Sequence, residues 1–406
     1  MAAAAPSFRA GHELRLLKGA TEFVPALVAA IDAAHLEVRL ETYIFDFQGN
    51  SIEVAYALER AARRGVSVKV VVDGFGTAPM PPAWNERFLE AGVDWRVFSP
   101  PGRLGMLWPG NWRRMHRKLA LVDGSVAFCG GINILDDAYD QLGPTNLPPR
   151  LDFSVQVTGP LVTQVAITMA RLWMRMQAMQ QIRGARLTGA LQSLRAWAQA
   201  PVSTLRTTPQ HEANAARAVL VVRDNFRNRS GIERSYRRAI GRARDEIIIA
   251  NAYFVPGAKM RRALVAAAKR GVKVSLLLQG RYEYFMQYYA SRPVYEALLA
   301  AGVEVYEYSA SFLHAKVAVI DGHWATVGSS NLDPLSLLLA REANVMVEDE
   351  AFAQRLAERL RTAMVEEGRA MNVEEYENRS LHQKIMERFA LGIMRLLLMI
   401  QGKKYL

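Results

Sequence analysis

The chain has 406 residues, and at about 150 residues per domain this length corresponds to two or three domains. Half of the residues are hydrophobic and 22% are charged, a balance that excludes a disordered or collagen-like chain. The only cysteine is Cys129, which excludes a disulfide framework and a multi-thiolate metal site. Lys and Arg exceed Asp and Glu by twelve, and this surplus indicates an anionic partner: nucleic acid, phospholipid headgroups or a phosphorylated substrate.

The first residues do not predict a secretory signal, because Arg9, Glu13 and Arg15 interrupt the segment before an apolar core can form. No uninterrupted apolar run reaches the length of about 18 residues that a bilayer-spanning helix needs. The sequence therefore predicts a cytosolic or peripheral chain.

The predicted elements occur twice in the same order. Each half carries a strand-like run, a helical stretch with a second strand, a third strand, an HxK tract and an alternating run. These are 38–45, 62–74, 89–98, 115–133 and 151–159 in the first half, and 247–255, 267–280, 298–308, 313–331 and 341–349 in the second. Strands alternating with helices predict an α/β fold of two tandem sandwich domains.

Residues 181–217 match neither half and are predicted to connect them. The predicted units are an N-terminal domain (1–180), this connector, a C-terminal domain (218–365) and an amphipathic tail (366–406). Duplicated halves commonly pack about a pseudo-two-fold axis, so we expect their matching motifs to meet at one shared site.

The HxK tracts carry the chemistry. Residues i and i+2 of a strand face the same side, so His116 projects with Lys118, and His314 with Lys316. A titratable nitrogen beside a positive charge suits attack on a phosphorus centre. A single pair is ordinarily a solvated strand, but both copies continue with the same spacing to Asp, Gly and Asn. This repetition predicts a catalytic role.

The duplicated HxKxxxxD pattern resembles the phospholipase D superfamily over about residues 10–365. The second copy, LHAKVAVIDGHWATVGSSNLDPLS (313–336), matches the motif in full, whereas the first has Gly131 where the second has Ser329. The stretches VLVVRDNFRNRSGIERSYRRAI (219–240) and NAYFVPG (251–257) are similar to bacterial cardiolipin synthases. The lack of N-terminal membrane spans resembles the type B form of those enzymes.

The resemblance implies phosphatidyl transfer through a phosphohistidine, with no metal or other cofactor. By analogy, His116 is the nucleophile and His314 the acid that protonates the departing alcohol. The groups expected to hold the non-bridging phosphate oxygens are Lys118, Lys316, Asn133, Ser329 and Asn331. Gly131 removes one hydroxyl from this set, so the two half-sites are not equivalent.

Four carboxylates are further candidates. Asp152 and Glu342 stand at matching positions late in each half and are candidates to orient the histidines; exposed strand carboxylates are the alternative. Asp123 and Asp321 are included among the candidate catalytic residues because the motif contains them. Each also begins an Asp-Gly pair typical of a type I′ hairpin, which favours a structural role.

Three basic segments extend the prediction. Residues 101–118 combine five basic residues with Trp108 and Trp112, which suits an anionic membrane surface, single-stranded nucleic acid or a plain loop. Residues 223–244 hold eight arginines, of which Arg223 is a candidate for the substrate phosphate. The tail 386–406 predicts a helix lying in the membrane interface or packed on the protein core.

The favoured function is cardiolipin synthesis at the cytoplasmic face of the cell membrane, by a peripheral protein. Phosphatidylglycerol would donate its phosphatidyl group to a glycerol hydroxyl of a second phospholipid. Phosphatidylethanolamine or a small alcohol could also be the acceptor. The alternatives are a hydrolase acting on phospholipid or nucleic acid, and a non-catalytic membrane or nucleic-acid binder. We expect no nucleic acid and no obligate protein partner.

Overall fold

The computed structural model describes residues 7–100, 102, 113–136, 139–140, 143–144, 148–183, 216–224, 230–281, 285–333, 340–372 and 379–400. Within these residues, the helices are α1 (Gly19–Asp32), α2 (Ile52–Arg63), α3 (Pro82–Ala91), α4 (Leu161–Arg183), α5 (Gly231–Arg242), α6 (Ala258–Lys269), α7 (Phe285–Leu299), α8 (Glu350–Glu366) and α9 (Leu381–Ile400), with a 3-10 turn at Gly49–Ser51. The strands of the first half are β1 (Arg9–Lys18), β2 (Glu37–Thr42), β3 (Ser67–Asp73), β4 (Asp94–Phe98), β5 (Arg114–Met115), β6 (Lys118–Val122), β7 (Val126–Gly130), β8 (Tyr139–Asp140), β9 (Gly143–Pro144) and β10 (Phe153–Thr158). Those of the second half are β11 (Ala216–Arg223), β12 (Glu246–Asn251), β13 (Lys273–Gln279), β14 (Glu304–Tyr308), β15 (Lys316–Ile320), β16 (Trp324–Gly328), β17 (Ala340–Glu348) and β18 (Gly368–Ala370).

The two halves have the same strand order. It runs β1-β10-β7-β6-β2-β3-β4 in the first half and β11-β17-β16-β15-β12-β13-β14 in the second. In each half the last three strands are parallel, and the other neighbours are antiparallel. The halves join where β1 pairs antiparallel with β11, with Arg9 opposite Ala218. This duplicated α/β architecture confirms the predicted fold class.

One hydrophobic core is shared by both halves. Buried residues of β6, β7 and β10 lie in the same cluster as those of β15, β16 and β17, and helices α4 and α8 contribute to it through Met169 and Phe352. The Cys129 thiol of β7 lies 3.9 Å from the backbone oxygen of Ala343 in β17. Two further clusters pack helices on the other side of each half, α1 to α3 on the first and α5 to α7 on the second. The halves are therefore one packed body.

The strand directions place both HxK tracts at corresponding edges. Because β6 runs antiparallel to β2, its first residue, Lys118, lies at the carboxyl end of the parallel strands. Lys316 starts β15 in the same way, directly opposite Asn251 at the end of β12. The carboxyl ends of parallel strands are where α/β sheets generally bind their ligands.

The elements that flank the predicted connector end and begin at residues other than those predicted, and the predicted tail contains a helix, α9. Helix α4 continues to Arg183 and β11 begins at Ala216, so the segment between the halves is 184–215, which lies outside the described residues. In the tail, α9 buries Glu387 and Ala390, the latter in the cluster that also contains α7. Among the helices described, none combines the length and apolarity required to cross a bilayer.

Candidate active site

Each lysine of the HxK tracts folds back onto its own histidine. The Lys118 ammonium donates a hydrogen bond to the backbone oxygen of His116, with 2.7 Å between the two atoms. Lys316 makes the same bond to the backbone oxygen of His314. Both lysines are buried, at 5% and 0% exposure. Each tract therefore holds a buried positive charge close to its imidazole ring.

The histidines pair across the two halves. His116 Nδ1 lies 3.1 Å from a carboxylate oxygen of Glu342, and His314 Nδ1 lies 2.6 Å from Asp152 Oδ2. Backbone bonds cross in the same sense, because the His116 N–H donates to Arg341 and the His314 N–H donates to Leu151. Each histidine is thus positioned by the half of the chain that does not contain it, and the two motifs form one cluster.

The partners of His116 determine which of its nitrogens carries the proton. Nδ1 faces the backbone oxygen of Ser329 at 3.2 Å as well as the Glu342 carboxylate. Although burial alone would raise the pKa of Glu342, His116, Lys118 and Ser329 lower it overall, so the carboxylate is ionised. Since neither oxygen can donate, Nδ1 must carry the hydrogen. In the neutral ring, Nε2 then has its lone pair available for reaction.

Burial and positive charge favour the neutral form of both imidazoles. Burial lowers the pKa of His116, and Glu342 offsets part of this effect. Burial also lowers the pKa of His314 well below its usual value, and Lys316 and Lys118 add to the lowering. The pKa of Lys118 falls to about 7 through burial and the neighbouring Lys316. Glu342 and Asp152 offset the positive charge only in part, and a phosphodiester would add a further negative charge that favours the protonated forms.

The two half-sites differ at two pairs of corresponding positions, Gly131 with Ser329 and Asp152 with Glu342. Ser329 donates a 2.5 Å hydrogen bond to Glu342 and accepts one from the Ala343 N–H, so its hydroxyl hydrogen is used within the protein. To hold a phosphate oxygen, as the sequence predicts, Ser329 would have to exchange this hydrogen bond to Glu342 for one to the ligand. At Gly131, an added Cβ would lie 2.2 Å from Asp152 Oδ1. The shorter side chain of Asp152 therefore lies directly against Gly131. This pair takes the place that Glu342 and Ser329 have in the other half.

The two asparagines of the motif are buried beside the cluster. Asn133 accepts a hydrogen bond from the Ile44 N–H through Oδ1, at 3.1 Å, which leaves the hydrogens on Nδ2 as its donors. The Oδ1 atom of Asn331 has no hydrogen-bond partner among the described residues. Both amides follow the strands that end at the cluster, where a ligand oxygen could accept from them.

The motif aspartates lie at the opposite ends of the strands from the histidines. Both adopt positive φ angles of 49°, followed by positive φ at the next glycine, as a type I′ turn requires. Asp123 accepts hydrogen bonds from the backbone N–H groups of residues 35–37, and Asp321 from those of residues 244–246. A five-residue strand of about 3.3 Å per residue separates each from its lysine. This corrects their inclusion among the catalytic residues.

Part of the basic segment 101–118 is internal. Arg117 points to the opposite face from His116 and Lys118 and forms a buried ion pair with Glu41. Arg114 pairs with the fully buried Asp73 at 3.1 Å. Arg114, Arg117 and Lys118 therefore do not belong to a membrane-facing surface. This corrects, for these three residues, the interpretation of 101–118 as such a surface. Arg103, Trp108 and Trp112 lie outside the described residues.

Three more residues lie near the cluster. Tyr43 and Arg341 were not among the predicted site residues, and Arg223 was predicted only as a candidate for the substrate phosphate. The Tyr43 ring lies 4.9 Å from the His116 ring and 5.4 Å from the Lys118 ammonium. Its position directly after a buried strand was the available signal. Arg223 is 1% exposed and stands opposite Glu342 in the β11–β17 pairing. Arg341 packs its guanidinium over the Phe98 ring, and burial lowers its pKa to about 10.

The fold and the paired histidine–lysine cluster define the class of this molecule: a phospholipase D-like protein with both motif copies in one chain. The sequence matches the family described as "Cardiolipin synthase, PLD-like domain" over residues 27–146 and 236–364. These two segments include both HxK tracts and more than half of the chain. The chain belongs to this family.

Individual relatives agree with the family match. The chain is 37% identical to cardiolipin synthase B of Salmonella typhi over 358 residues, covering 88% of this chain and 82% of that protein. It is 36% identical to cardiolipin synthase B of Escherichia coli K12, covering 87% and 81%. The crystal structure of phosphatidylserine synthase from Haemophilus influenzae Rd KW20 superposes with a TM-score of 0.68 at 12% identity, covering 97% and 96% of the two chains, which shows the shared fold.

Proposed function

We propose that this protein is a cardiolipin synthase, which transfers the phosphatidyl group of phosphatidylglycerol to a glycerol hydroxyl of a second phospholipid. The observation that carries the proposal is the crossed cluster, in which Glu342 and Asp152 fix His116 and His314 beside two buried lysines. A buried, cationic site with two oriented imidazoles suits displacement at a phosphodiester. The names of the relatives provide the lipid substrate class.

In the first step, Nε2 of His116 attacks the phosphorus atom. A P–N bond forms, the P–O bond to the departing glycerol breaks, and protonated His314 gives its Nε2 proton to the leaving oxygen. In the second step, neutral His314 takes the proton of the acceptor hydroxyl while that oxygen attacks phosphorus. The P–N bond breaks, and His116 returns to its neutral form. Cardiolipin and glycerol are the products.

His314 takes up from solvent the proton that it later donates, and the binding of the substrate favours this uptake. Burial, Lys316 and Lys118 lower the pKa of His314. A phosphodiester anion between the two lysines would offset their charge and favour the imidazolium, which Asp152 stabilises. The same lysines, with the donor groups of Asn133 and Asn331, then hold the non-bridging oxygens as negative charge builds on them.

Two exposed apolar features support peripheral membrane binding. Leu381, Ile385 and Phe389 follow one another at i, i+4 and i+8 on the outer face of α9, with 74%, 55% and 58% exposure. Phe75 is 55% exposed and packs near the Arg114 guanidinium, at the same end of the sheet as the histidines. The surplus of twelve positive charges favours an anionic leaflet, and we assign the protein to the cytoplasmic face.

Vesicles of phosphatidylglycerol with a radiolabelled headgroup test the proposal. Cardiolipin with an equal amount of released labelled glycerol supports transfer, because hydrolysis would leave phosphatidic acid instead. His116→Ala and His314→Ala should each abolish product while leaving the thermal midpoint nearly unchanged, since neither removes a large apolar group. Absence of turnover in the intact protein would indicate a non-catalytic binder and contradict the proposal.

A further inference from the structure

A tyrosine ring closes one side of the histidine–lysine cluster. Tyr43 directly follows β2, and its ring centroid lies 4.9 Å from that of His116. The Lys118 ammonium lies 5.4 Å from the centroid of the same ring, within the range of a cation–π contact. Two rings at this separation are in van der Waals contact, so no water molecule fits between them. On this side, His116 and Lys118 therefore face an aromatic surface instead of solvent.

The loop after β3 holds this ring from its other side. An added Cβ at Gly76 would lie 2.7 Å from two atoms of the Tyr43 ring and 2.6 Å from the Tyr43 backbone oxygen, so the ring needs a glycine there. The Thr77 hydroxyl donates a 2.9 Å hydrogen bond to the same backbone oxygen and accepts a 3.1 Å hydrogen bond from the Phe45 N–H. The ring therefore lies between this loop and the histidine, and its backbone is fixed.

One carboxylate couples the loop to the histidine tract. The fully buried Asp73 accepts a hydrogen bond from the Gly76 N–H at 3.2 Å. It also accepts one at 2.7 Å from the N–H of Met115, the residue directly before His116. The backbones of both segments thus set the position of the Tyr43 ring relative to His116.

The second half has no ring at the matching position. Strand β2 ends at Thr42, and β12 ends at the corresponding residue, Asn251. Ala252 therefore corresponds to Tyr43. The Ala252 N–H donates a 3.0 Å hydrogen bond to the backbone oxygen of Ala315 in the second HxK tract. Since the repeated framework accommodates alanine here, the fold does not require an aromatic residue, and the ring is a feature of the first half-site.

Two nucleophiles can break the P–N bond that His116 forms in the proposed reaction, on which this inference rests. When a glycerol hydroxyl of the second lipid attacks, its oxygen bonds to phosphorus, its proton passes to His314, and cardiolipin is released. When water attacks in the same way, its oxygen bonds to phosphorus, one proton passes to His314, and phosphatidic acid is released. A synthase must therefore keep water from the phosphorylated histidine.

We propose that the Tyr43 ring shields the phosphohistidine at His116 from water and thereby sets the ratio of transfer to hydrolysis. The ring is a positioning group: it forms no bond and takes no proton, and it acts by occupying the space beside His116 from which water would approach. The His116 side chain is only 15% exposed with the ring in place, so little other access remains. The ring stands beside the histidine that carries the P–N bond, whereas the acceptor hydroxyl meets His314.

Three variants of the full chain test the shield. Tyr43→Ala removes the ring, Tyr43→Phe keeps the ring without its hydroxyl, and Gly76→Ala displaces the ring through the added Cβ. The measured quantity is the ratio of phosphatidic acid to cardiolipin formed from phosphatidylglycerol vesicles, which does not change when a variant only lowers the overall rate. The ratio should rise about tenfold in Tyr43→Ala, rise less in Gly76→Ala and keep its wild-type value in Tyr43→Phe.

Phe47→Ala is the matched control. It removes a ring four residues further along the same segment, where Phe47 packs against Trp84 and Trp95 in the core beneath the helices. This variant should lower the thermal midpoint and leave the product ratio unchanged. A rise in the ratio as large as that of Tyr43→Ala would show that general loosening admits water, and it would reject a specific role for the Tyr43 ring.

A second substrate separates this inference from the proposed function. In a buffer without alcohols, bis(p-nitrophenyl) phosphate leaves water as the only nucleophile that can free His116. The wild type should release a burst of p-nitrophenolate and then turn over slowly, and Tyr43→Ala should raise the steady rate relative to the burst rate about tenfold. This comparison remains valid if phosphatidylglycerol yields phosphatidic acid alone, a result that would contradict cardiolipin synthesis. An unchanged product ratio and an unchanged steady rate in Tyr43→Ala would overturn the shield.

Discussion

At the scale of single residues, the crossed carboxylates are the feature that makes the two motifs interdependent. Neither histidine has its Nδ1 partner in its own half, because Glu342 serves His116 and Asp152 serves His314. Removing Asp152 would leave His314 without its orienting acceptor, and removing Glu342 would leave His116 with only the backbone oxygen of Ser329. Either change also removes the negative charge that stabilises the imidazolium. The reaction depends on both properties at different steps.

We therefore expect Glu342→Gln and Asp152→Asn each to lower kcat by about a hundredfold, because an amide offers no charge and can present a donor to Nδ1. The measurement is the initial rate of cardiolipin formation over pH 5–9, where loss of the charge should also shift the profile. Glu348→Gln removes a half-buried carboxylate of the same strand, which pairs with Arg217 away from the histidines, and should have little effect on kcat. Near-normal rates in both site variants would mean that the crossed contacts do not position the histidines.

Lys118 predicts how ligand binding depends on pH. Burial and Lys316 lower its pKa to about 7, so it loses its proton as the pH rises above neutrality. A phosphodiester favours the protonated form, and its affinity should therefore decline from pH 7 to pH 9. Glycerophosphoglycerol suits the measurement, because a diester does not titrate in this range.

The binding experiment uses calorimetry in the His116→Ala background, which prevents turnover. With Lys118 intact, the dissociation constant should rise severalfold or more between pH 7 and pH 9. When Lys118→Arg is added to the same background, the guanidinium stays charged. The dissociation constant should then change little between pH 7 and pH 9. The same pH dependence with lysine and arginine would assign the titration to another group.

At the scale of elements, the strand hairpins separate the structural part of each motif from its reactive part. Asp123 and Asp321 each join a hairpin turn to the segment before a neighbouring strand, through three backbone N–H groups. The histidine and lysine lie at the other end of the same hairpin. The seven-residue spacing from His to Asp is thus the length of a strand with its turn.

Asp123→Ala should lower the free energy of unfolding by about 1–2 kcal/mol at pH 7, a value reduced because the carboxylate is partly exposed to water. It should leave kcat unchanged. Burial alone would raise the pKa of Asp123, but the three backbone hydrogen bonds lower it overall. Its contribution is therefore present above about pH 4 and is lost as the pH falls through the lowered pKa. Urea unfolding at pH 7 and pH 3 measures both values. Asp94→Ala, at an exposed carboxylate, is the control; a fall in kcat with unchanged stability would contradict this assignment.

The outer face of α9 should determine vesicle binding. Leu381→Ser, Ile385→Ser and Phe389→Ser together remove its exposed apolar stripe, and we expect on the order of tenfold or greater weakening of sedimentation with phosphatidylglycerol vesicles. Leu36→Ser, Leu89→Ser and Val365→Ser remove equally exposed but scattered apolar residues and should bind as the wild type does. Equal binding by the two variants would exclude α9 as a membrane contact.

At the scale of the whole molecule, the duplication made most of the fold predictable. The same order of elements in both halves identified the strands and the matching carboxylates, and the equal spacing from His to Asp, Gly and Asn identified the HxK tracts. Alternation also places Arg117 opposite His116, so its burial against Glu41 could have been inferred. The sequence could not predict that each carboxylate binds the histidine of the other half, because this depends on how the halves pack. The hydrogen bond from the Ser329 hydroxyl to Glu342 could not be predicted, because spacing does not show which acceptor a hydroxyl meets.

The packing of the halves leads to a prediction about the intact chain. They are joined by the β1–β11 pairing, by a common core and by both histidine–carboxylate contacts. A protease site inserted after residue 200, between α4 and β11, would cut the chain without breaking any of these contacts. After cleavage, the two fragments should elute together in gel filtration and keep more than about half of the uncut activity, because burial of a core of this size outweighs the loss of the tether. The insertion left uncut is the control for damage by the added residues. Fragments that separate at low micromolar concentration would show that the shared core does not hold the halves together.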